Sequence, residues 1–359
     1  MQIWLDLRFL KNNLYSSFII NLVENLIIKD TKNKYIIYIN TRKKQELLIE
    51  KILNKINCEV KIIEIDNFSI KEQIHFLKIL KKDKNNLMIF FNHFKPIFYR
   101  WDYYTFVLNL KDIYYWNFES SLNKYKYLYL LEKNLQKSQK IICFDENTKN
   151  ELVERFNIRE ETINLIHWFF NSKSKIIEKE IKIDIKTKYS IKNDYLLYSC
   201  WDGIEKNLEK LVQIYDKIEN NIDLIILWEK ISKNIFLRNK IVNLWLQDRI
   251  KFLSPIKESE KSLIYKQSIW VIFPSLYETF PFCLSDAIEY SVPILTSNIK
   301  SLEKIFWNSV KYFSPISKVD MIKQINNYIK NSDKIANYSE LKNNLSKDKT
   351  TKELIDIIN

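Results

Sequence analysis

Short apolar runs alternate along this chain with longer stretches whose apolar residues recur every three to four positions. The runs Ile3–Asp6, Tyr35–Ile39, Val60–Ile65, Leu87–Phe91, Phe106–Leu110 and Lys140–Phe144 predict strands in the first half. Between them, Ser16–Ile28, Ile70–Lys81, Leu122–Lys137 and Glu146–Phe156 predict helices. Strands that alternate with helices in this way build a parallel sheet covered on both faces. The stretch Asn171–Asp194 is charged and weakly patterned, and reads as a connection. The pattern then restarts, with strands at Tyr195–Ser199, Asp223–Leu227, Ile250–Leu253, Val271–Phe273 and Pro293–Thr296. Helices are expected at Lys206–Ile218, Lys233–Leu246, Ser259–Gln267 and Phe282–Tyr290, and the tail from Asp320 to Asn359 is helical and polar. The expected fold class is α/β: two doubly wound domains at 1–170 and 194–345, a linker at 171–193 and a helical tail at 346–359. Ligands bind at the carboxyl ends of the strands in such sheets, so we expect the site in a cleft between the two sets of strand ends.

Composition narrows the class. A chain of 359 residues suits two domains, and 46% apolar residues allow each its own core. No apolar run approaches the ~18 residues of a membrane span. The opening MQIWLDLRFLKNN carries Asp6 and Arg8 where a secretory leader would be apolar, so no secretory targeting is expected. Cys58, Cys143, Cys200 and Cys283 stand apart, without Cys-x-x-Cys spacing or a disulfide framework. Reduced thiols and a cytoplasmic location are the expectation, with no bound metal and no cofactor. The net charge of +13 favours anionic partners such as acidic lipid or phosphorylated substrates, and peripheral contact with the inner face of a membrane. Much of it reflects a general crowding of Lys, Asn, Ile, Tyr and Phe, the residues of A/T-rich codons. The basic residues are spread along the chain without the signature of a nucleic-acid module, so nucleic acid is not an expected partner.

The stretch FPSLYETFPFCLSDAIEYSVPILTSN, Phe273 to Asn298, holds the densest candidate chemistry. It reads as strand, loop, helix, strand. Pro281 suits a first helical position, where its missing N–H costs nothing. The helix start would then present free N–H groups and a positive dipole end to a phosphate. Glu278 in the loop and Asp286 one turn into the helix would flank that start. Either carboxylate alone would merely cap or solvate; the order and spacing together point to a sugar-nucleotide site.

On these residues the chain resembles the family 4 glycosyltransferases, whose signature is approximately P-S-x-x-E-G-F-G-x-P-x-x-E-A-x-x-x-G-x-P-V-x-x-S. Pro274, Ser275, Glu278, Phe280, Ala287, Pro293 and Ser297 stand in register, and Asp286 replaces the second glutamate. Thr279 and Pro281 replace two loop glycines. The resemblance implies a GT-B fold with Rossmann-like domains and a retaining, metal-independent sugar transfer from a nucleotide sugar. It places Glu278 beside the donor sugar and Asp286 on the ribose, with Phe280, Phe282 and Cys283 lining the donor. YLLYSCWDGIEKNLEKL, from Tyr195 to Leu211, is similar to the family's Y-V-G-G-x-x-x-R-K-N-L. There Lys206 falls on the lysine that pairs with the donor diphosphate, where a cation stabilises the departing charge. VLNLKDIYY resembles V-T-I-H-D-L, which puts Lys111 and Asp112 on the acceptor side. His93, after the strand ending at Phe91, is a third acceptor-side candidate, although a structural histidine is its plainer reading. No Asp-x-Asp occurs, which fits an enzyme that holds diphosphate without a metal. The acceptor implied is a saccharide or a lipid-linked glycan of the cell surface. A nucleotide-sugar epimerase and a catalytically degenerate scaffold subunit of the same fold are the alternatives.

One count is anomalous: 1 Gly and 9 Trp. Against the family pattern, Trp4, Trp168, Trp201, Trp228, Trp245 and Trp307 fall where glycine is usual. Ile3-Trp4-Leu5-Asp6 stands against I-G-I-D, and Leu244-Trp245-Leu246-Gln247-Asp248-Arg249 against L-G-L-x-D-R. A gene that uses UGA for glycine, translated with UGA as tryptophan, would give this pattern. A glycine-poor sequence that tolerates tryptophan is the alternative.

Overall fold

The computed structural model describes the chain except residues 11–13, 41–56, 68, 84–85, 94, 116–120, 171–183, 202, 220, 228–233, 255 and 331–335. Trp228 and most of the expected linker lie outside the described residues. The chain divides into two compact units, one of Met1–Asn171 with Leu345–Asn359, the other of Ser172–Asn344.

The first unit holds a seven-stranded sheet in the order β3-β2-β1-β4-β5-β6-β7. Its strands are β1 (Gln2–Asp6), β2 (Lys34–Ile39), β3 (Cys58–Ile62), β4 (Leu87–Phe90), β5 (Tyr103–Val107), β6 (Lys140–Cys143) and β7 (Ile163–Leu165). Every pairing is parallel. Strands β4 and β5 are buried at every position, because successive side chains point to opposite faces and both faces are covered. One face packs Trp4, Tyr38, Met88 and Phe90 against Phe76 and Leu80. The helix Lys347–Ile358 belongs here as well. Its buried Thr351 accepts from Asn25 Nδ2 at 2.8 Å, and its Ile357 carbonyl accepts from Lys140 Nζ at 2.5 Å.

The second unit holds a six-stranded parallel sheet in the order β10-β9-β8-β11-β12-β13. Its strands are β8 (Asp194–Tyr198), β9 (Ile222–Ile226), β10 (Ile250–Phe252), β11 (Trp270–Phe273), β12 (Ile294–Ser297) and β13 (Lys311–Phe313). Both strand orders reverse in the middle, at β1/β4 and β8/β11. That reversal is the switch point of a doubly wound sheet, where the connections leave to opposite faces and the strand ends stay open.

The structure shifts several expected elements. The strand expected at Phe106–Leu110 lies at Tyr103–Val107. It stops early because Asn109 Oδ1 accepts the Lys111 N–H at 3.2 Å and starts the helix Lys111–Tyr115. The strand expected at Val60–Ile65 lies at Cys58–Ile62, set by its register with β2. The helix expected at Ile70–Lys81 contains a π turn, Glu72–Phe76, before Leu77–Asp83. Within the expected linker, Ile185–Lys188 is helical, capped by Asp184 and tied to Glu260 through Lys188 and Tyr189.

Charge is buried at the end of β1. Arg8 is wholly buried and bonds Asp6 Oδ2 and Glu72 Oε1, each at 2.8 Å, with its guanidinium 3.4 Å from the centre of the Phe76 ring. The Glu72 that makes this bond opens the π turn. Removing one partner of a buried ion pair costs about 3–5 kcal/mol, far more than an exposed pair contributes. Arg8→Leu is therefore expected to destabilise the protein by about 3–5 kcal/mol in chemical denaturation. A loss below about 1 kcal/mol would show that the cluster is not a structural requirement.

Candidate functional site

The loops that leave β8 and β11 meet at the switch point of the second sheet. They are sewn together by main-chain groups. The Glu205 carbonyl accepts the Leu276 N–H at 2.7 Å and lies 3.0 Å from the Ser275 hydroxyl. Ser275 is fully buried, and that hydroxyl is also 3.0 Å from the Tyr277 carbonyl. From the floor of the site, Thr296 Oγ1 donates to the Phe273 carbonyl at 3.0 Å.

This stitching brings Lys206 to Glu278. The Lys206 ammonium and the Glu278 carboxylate form a buried ion pair, 2% and 7% exposed at their side chains. Asn207 stands in the left-handed region at φ 57° and turns the chain into the helix Leu208–Ile214; its Nδ2 bonds the Pro315 carbonyl at 3.0 Å. The ammonium also lies 4.1 Å from the ring centre of Trp201 and 5.2 Å from that of Phe273. Trp201 donates its indole N–H to Glu205 Oε1 at 3.1 Å. Glu205 folds over Gly203, where a Cβ would collide with its carboxylate. A cavity of about 590 Å³ by the loop after β8 is lined by residues including Gly203, Asn207, Lys210, Asn234, Phe236 and Leu276, and by neither member of the pair.

The segment after Glu278 departs from expectation. The continuous helix Phe282–Tyr290 is instead a 3₁₀ turn, Phe282–Leu284, followed by a short helix, Ser285–Glu289. Pro281 has ψ 67° and stands before the turn rather than in its first helical position. The Phe282 N–H bonds the Phe280 carbonyl at 3.0 Å, and the Leu284 N–H bonds that of Pro281 at 2.9 Å. Those donors are spent locally, so the expected row of free N–H groups is reduced. Phe280 and Phe282 are buried edge-to-face at 4.9 Å.

The cysteines also differ from expectation. Cys283 and Cys200 form a disulfide, with Cα atoms 5.4 Å apart across a separation of 83 residues. Neighbouring strands carry the two loops, a proximity that sequence spacing does not reveal. Cys58 and Cys143 are free. Asp286 pairs with Lys261 of the helix Glu258–Gln267 and is 14% exposed at its side chain.

In the first unit, His93 follows β4 and its Nε2 lies 3.2 Å from the Tyr127 hydroxyl. Tyr127, which the sequence did not mark, has its pKa raised by burial and by the charge of Asp112. Asp112 and His93 thus share Tyr127 as a neighbour. Lys111 begins the helix Lys111–Tyr115 through the Asn109 cap. Among the described residues, no group of three or more His, Cys, Asp or Glu is placed to hold a metal ion.

Residues 181–348 match the family described as glycosyl transferases group 1. Over those residues, a little under half of its length, the chain is similar to that family. Its fold is GT-B, and it carries the family 4 pattern. The O-antigen chain mannosyltransferase RfbU of Salmonella typhimurium is 21% identical over 221 residues, covering 62% of this chain. The chain spans only 60% of that relative's length. Among solved structures, Anabaena Alr3699/HepE in complex with UDP and glucose superposes with a TM-score of 0.71 at 13% identity, over 100% of this chain and 98% of that one. The lipopolysaccharide outer core galactosyltransferase WaaB, in its apo form, gives 0.65 at 14% identity, over 100% and 99%.

Burial holds the His93 imidazole down to about pKa 4. An unfolded histidine titrates near 6.5, so the unfolded chain binds the extra proton between about pH 6.5 and 4. Folding stability is expected to fall as pH drops through that window and to be flat in this respect above it. The slope that His93→Gln removes should approach about 1.4 kcal/mol per pH unit at most. Denaturation of both proteins from pH 7.5 to 4.5 checks this; parallel curves would refute it.

Proposed function

We propose that this protein is a glycosyltransferase that moves a sugar, with retention at the anomeric carbon, from a nucleotide sugar to a saccharide or lipid-linked acceptor in surface-glycan synthesis. The buried Lys206–Glu278 pair at the β8/β11 switch point carries the reading. A donor diphosphate replaces Glu278 as the partner of the ammonium, and Glu278 is left to accept hydroxyls of the donor sugar. The bond from the anomeric carbon to the diphosphate breaks. A bond to the acceptor oxygen forms on the same face, and the acceptor proton passes to the departing phosphate oxygen. Lys206 takes up the charge that grows on the leaving group. Asp286 is the ribose partner once it parts from Lys261. The UDP and glucose bound by the Anabaena protein support UDP as the first nucleotide to test.

One observation favours a scaffold role as a second reading. The Phe282 and Leu284 amides are consumed and Cys283 is tied to Cys200, which leaves fewer donors for a phosphate. Transfer assays with UDP-sugars, together with UDP titration calorimetry, separate the two. Glu278→Gln is expected to lower turnover by about 10²–10³ while retaining UDP binding, and Lys206→Met to weaken UDP binding itself. A wild type that neither binds nucleotide nor transfers sugar would remove the enzymatic reading.

The helix Ser121–Gln136 supports contact with an acidic membrane where lipid-linked acceptors reside. It exposes Tyr125 and Tyr129 beside Lys124, Lys126 and Lys133, an aromatic and basic face suited to a bilayer interface. None of the described helices is long and apolar enough to cross a membrane. The protein is expected to sediment with phosphatidylglycerol vesicles and not with phosphatidylcholine vesicles. Lys124→Glu with Lys126→Glu should abolish that, and equal sedimentation with both lipids would contradict it.

A further inference from the structure

The tryptophans of this chain fall into two kinds. Trp270 is ordinary: it is buried in β11, donates its indole N–H to the Tyr328 carbonyl at 3.3 Å and lies beside the Tyr328 ring. Trp245 and Trp307 have neither the backbone nor the surroundings of a tryptophan. Trp245 follows the helix Ile235–Asn243 and its cap residue Leu244. The Trp245 N–H bonds the Val242 carbonyl and the Leu246 N–H bonds that of Ile241, each at 3.0 Å. This is a Schellman cap, and Trp245 occupies its left-handed position at φ 55°, where glycine is the usual residue. Asn157 fills a left-handed position after another helix with a short polar side chain that tolerates it, and the small Ser190 and Ser291 fill two more. Trp307 has φ 46° and ψ −121°, the mirror image of extended backbone, which only a residue without Cβ enters freely. The two side chains are 86% and 72% exposed, so burial does not offset the strain.

Two further positions agree. Trp4 lies in the middle of β1 between Ile36 and Met88, and its indole N–H is buried without an acceptor. Trp201 sets its ring over the ammonium of Lys206. Trp168, stacked on Phe144 at 4.0 Å, is well packed, so packing does not decide its identity. Across the chain there is 1 Gly, where ordinary usage of about 7% would place roughly 25.

We infer that positions 4, 201, 245 and 307 are glycine in the protein as its own cell makes it. The gene is read with a code in which UGA specifies glycine, and UGG alone specifies tryptophan. The left-handed caps then carry the residue their backbone requires. At 201 the loop after β8 loses the indole that covers Lys206, and its backbone can approach a diphosphate closely. This last consequence rests on the donor reading proposed above; the coding inference does not.

The codons test it first. UGA is expected at 4, 201, 245 and 307, and UGG at 270. UGG at 245 and 307 would overturn the inference, as would tryptophan in those peptides of protein isolated from the native cell. The backbone argument is tested separately by expressing the chain as written and as Trp245→Gly/Trp307→Gly. The double variant is expected to raise Tm by about 2–4 °C per position, and an unchanged or lower Tm would overturn that argument. Trp201→Gly is expected to tighten UDP binding severalfold. If the codons are UGA and this arm alone fails, the donor reading falls and the coding inference stands.

Discussion

A buried charge must find a counter-charge, and in both units that requirement ties the segment after a central strand to a residue more than sixty positions further along the chain. In the second unit Lys206 comes from the loop after β8 and Glu278 from the loop after β11, 72 residues later. In the first, Arg8 after β1 reaches the Asp6 carboxylate and Glu72, 64 residues on. An unpaired charge at such depth would cost several kcal/mol, so each loop is held where its partner needs it. Glu72 is also the first residue of a π turn, a distortion often found at functional sites. Parallel strand pairing supplies the frame, because only at a reversal of strand order do the loops of neighbouring strands leave to opposite faces.

The pair in the second unit also explains how a cation can wait for an anionic ligand without harm to the fold. Glu278 compensates the Lys206 charge, and the Glu205 carbonyl ties the two loops together through Leu276 and Ser275. The Cys200–Cys283 disulfide fastens the same two loops from another point. On the donor reading proposed above, such a tied main chain would hold Lys206 ready for the charge of a leaving group.

Much of this was legible in the sequence. Apolar runs located the central strands because each is buried on both faces, and Glu146–Phe156 was read with its bounds as observed. Glu278 and Asp286 were marked by order and spacing within one short block, and Lys206 by the resemblance of a separate segment; the structure pairs Lys206 with Glu278 and Asp286 with Lys261. What escaped depends on tertiary neighbours. β7 and β13 have three residues each and little pattern to read. The cysteine pair joins loops that only the sheet order makes adjacent. Asp286 was legible as a carboxylate, but its partner Lys261 lies on another helix. The turn at Phe282–Leu284 satisfies its own amides, which no count of residue types reveals. Tyr127 became notable only when folding set it between His93 and Asp112.

The helix Lys347–Ile358 completes the first unit, although the whole second unit lies between them in the sequence. Its Thr350, Thr351, Leu354 and Ile358 are buried against a unit whose other residues end at Asn171. At a ribosome adding about 5–20 residues per second, the first unit waits about 10–40 s for this piece after Asn171 is made. During that interval the apolar surface under the helix is open to chaperones. A chain cut short before Lys347 leaves the surface that Thr350, Thr351, Leu354 and Ile358 cover open to water.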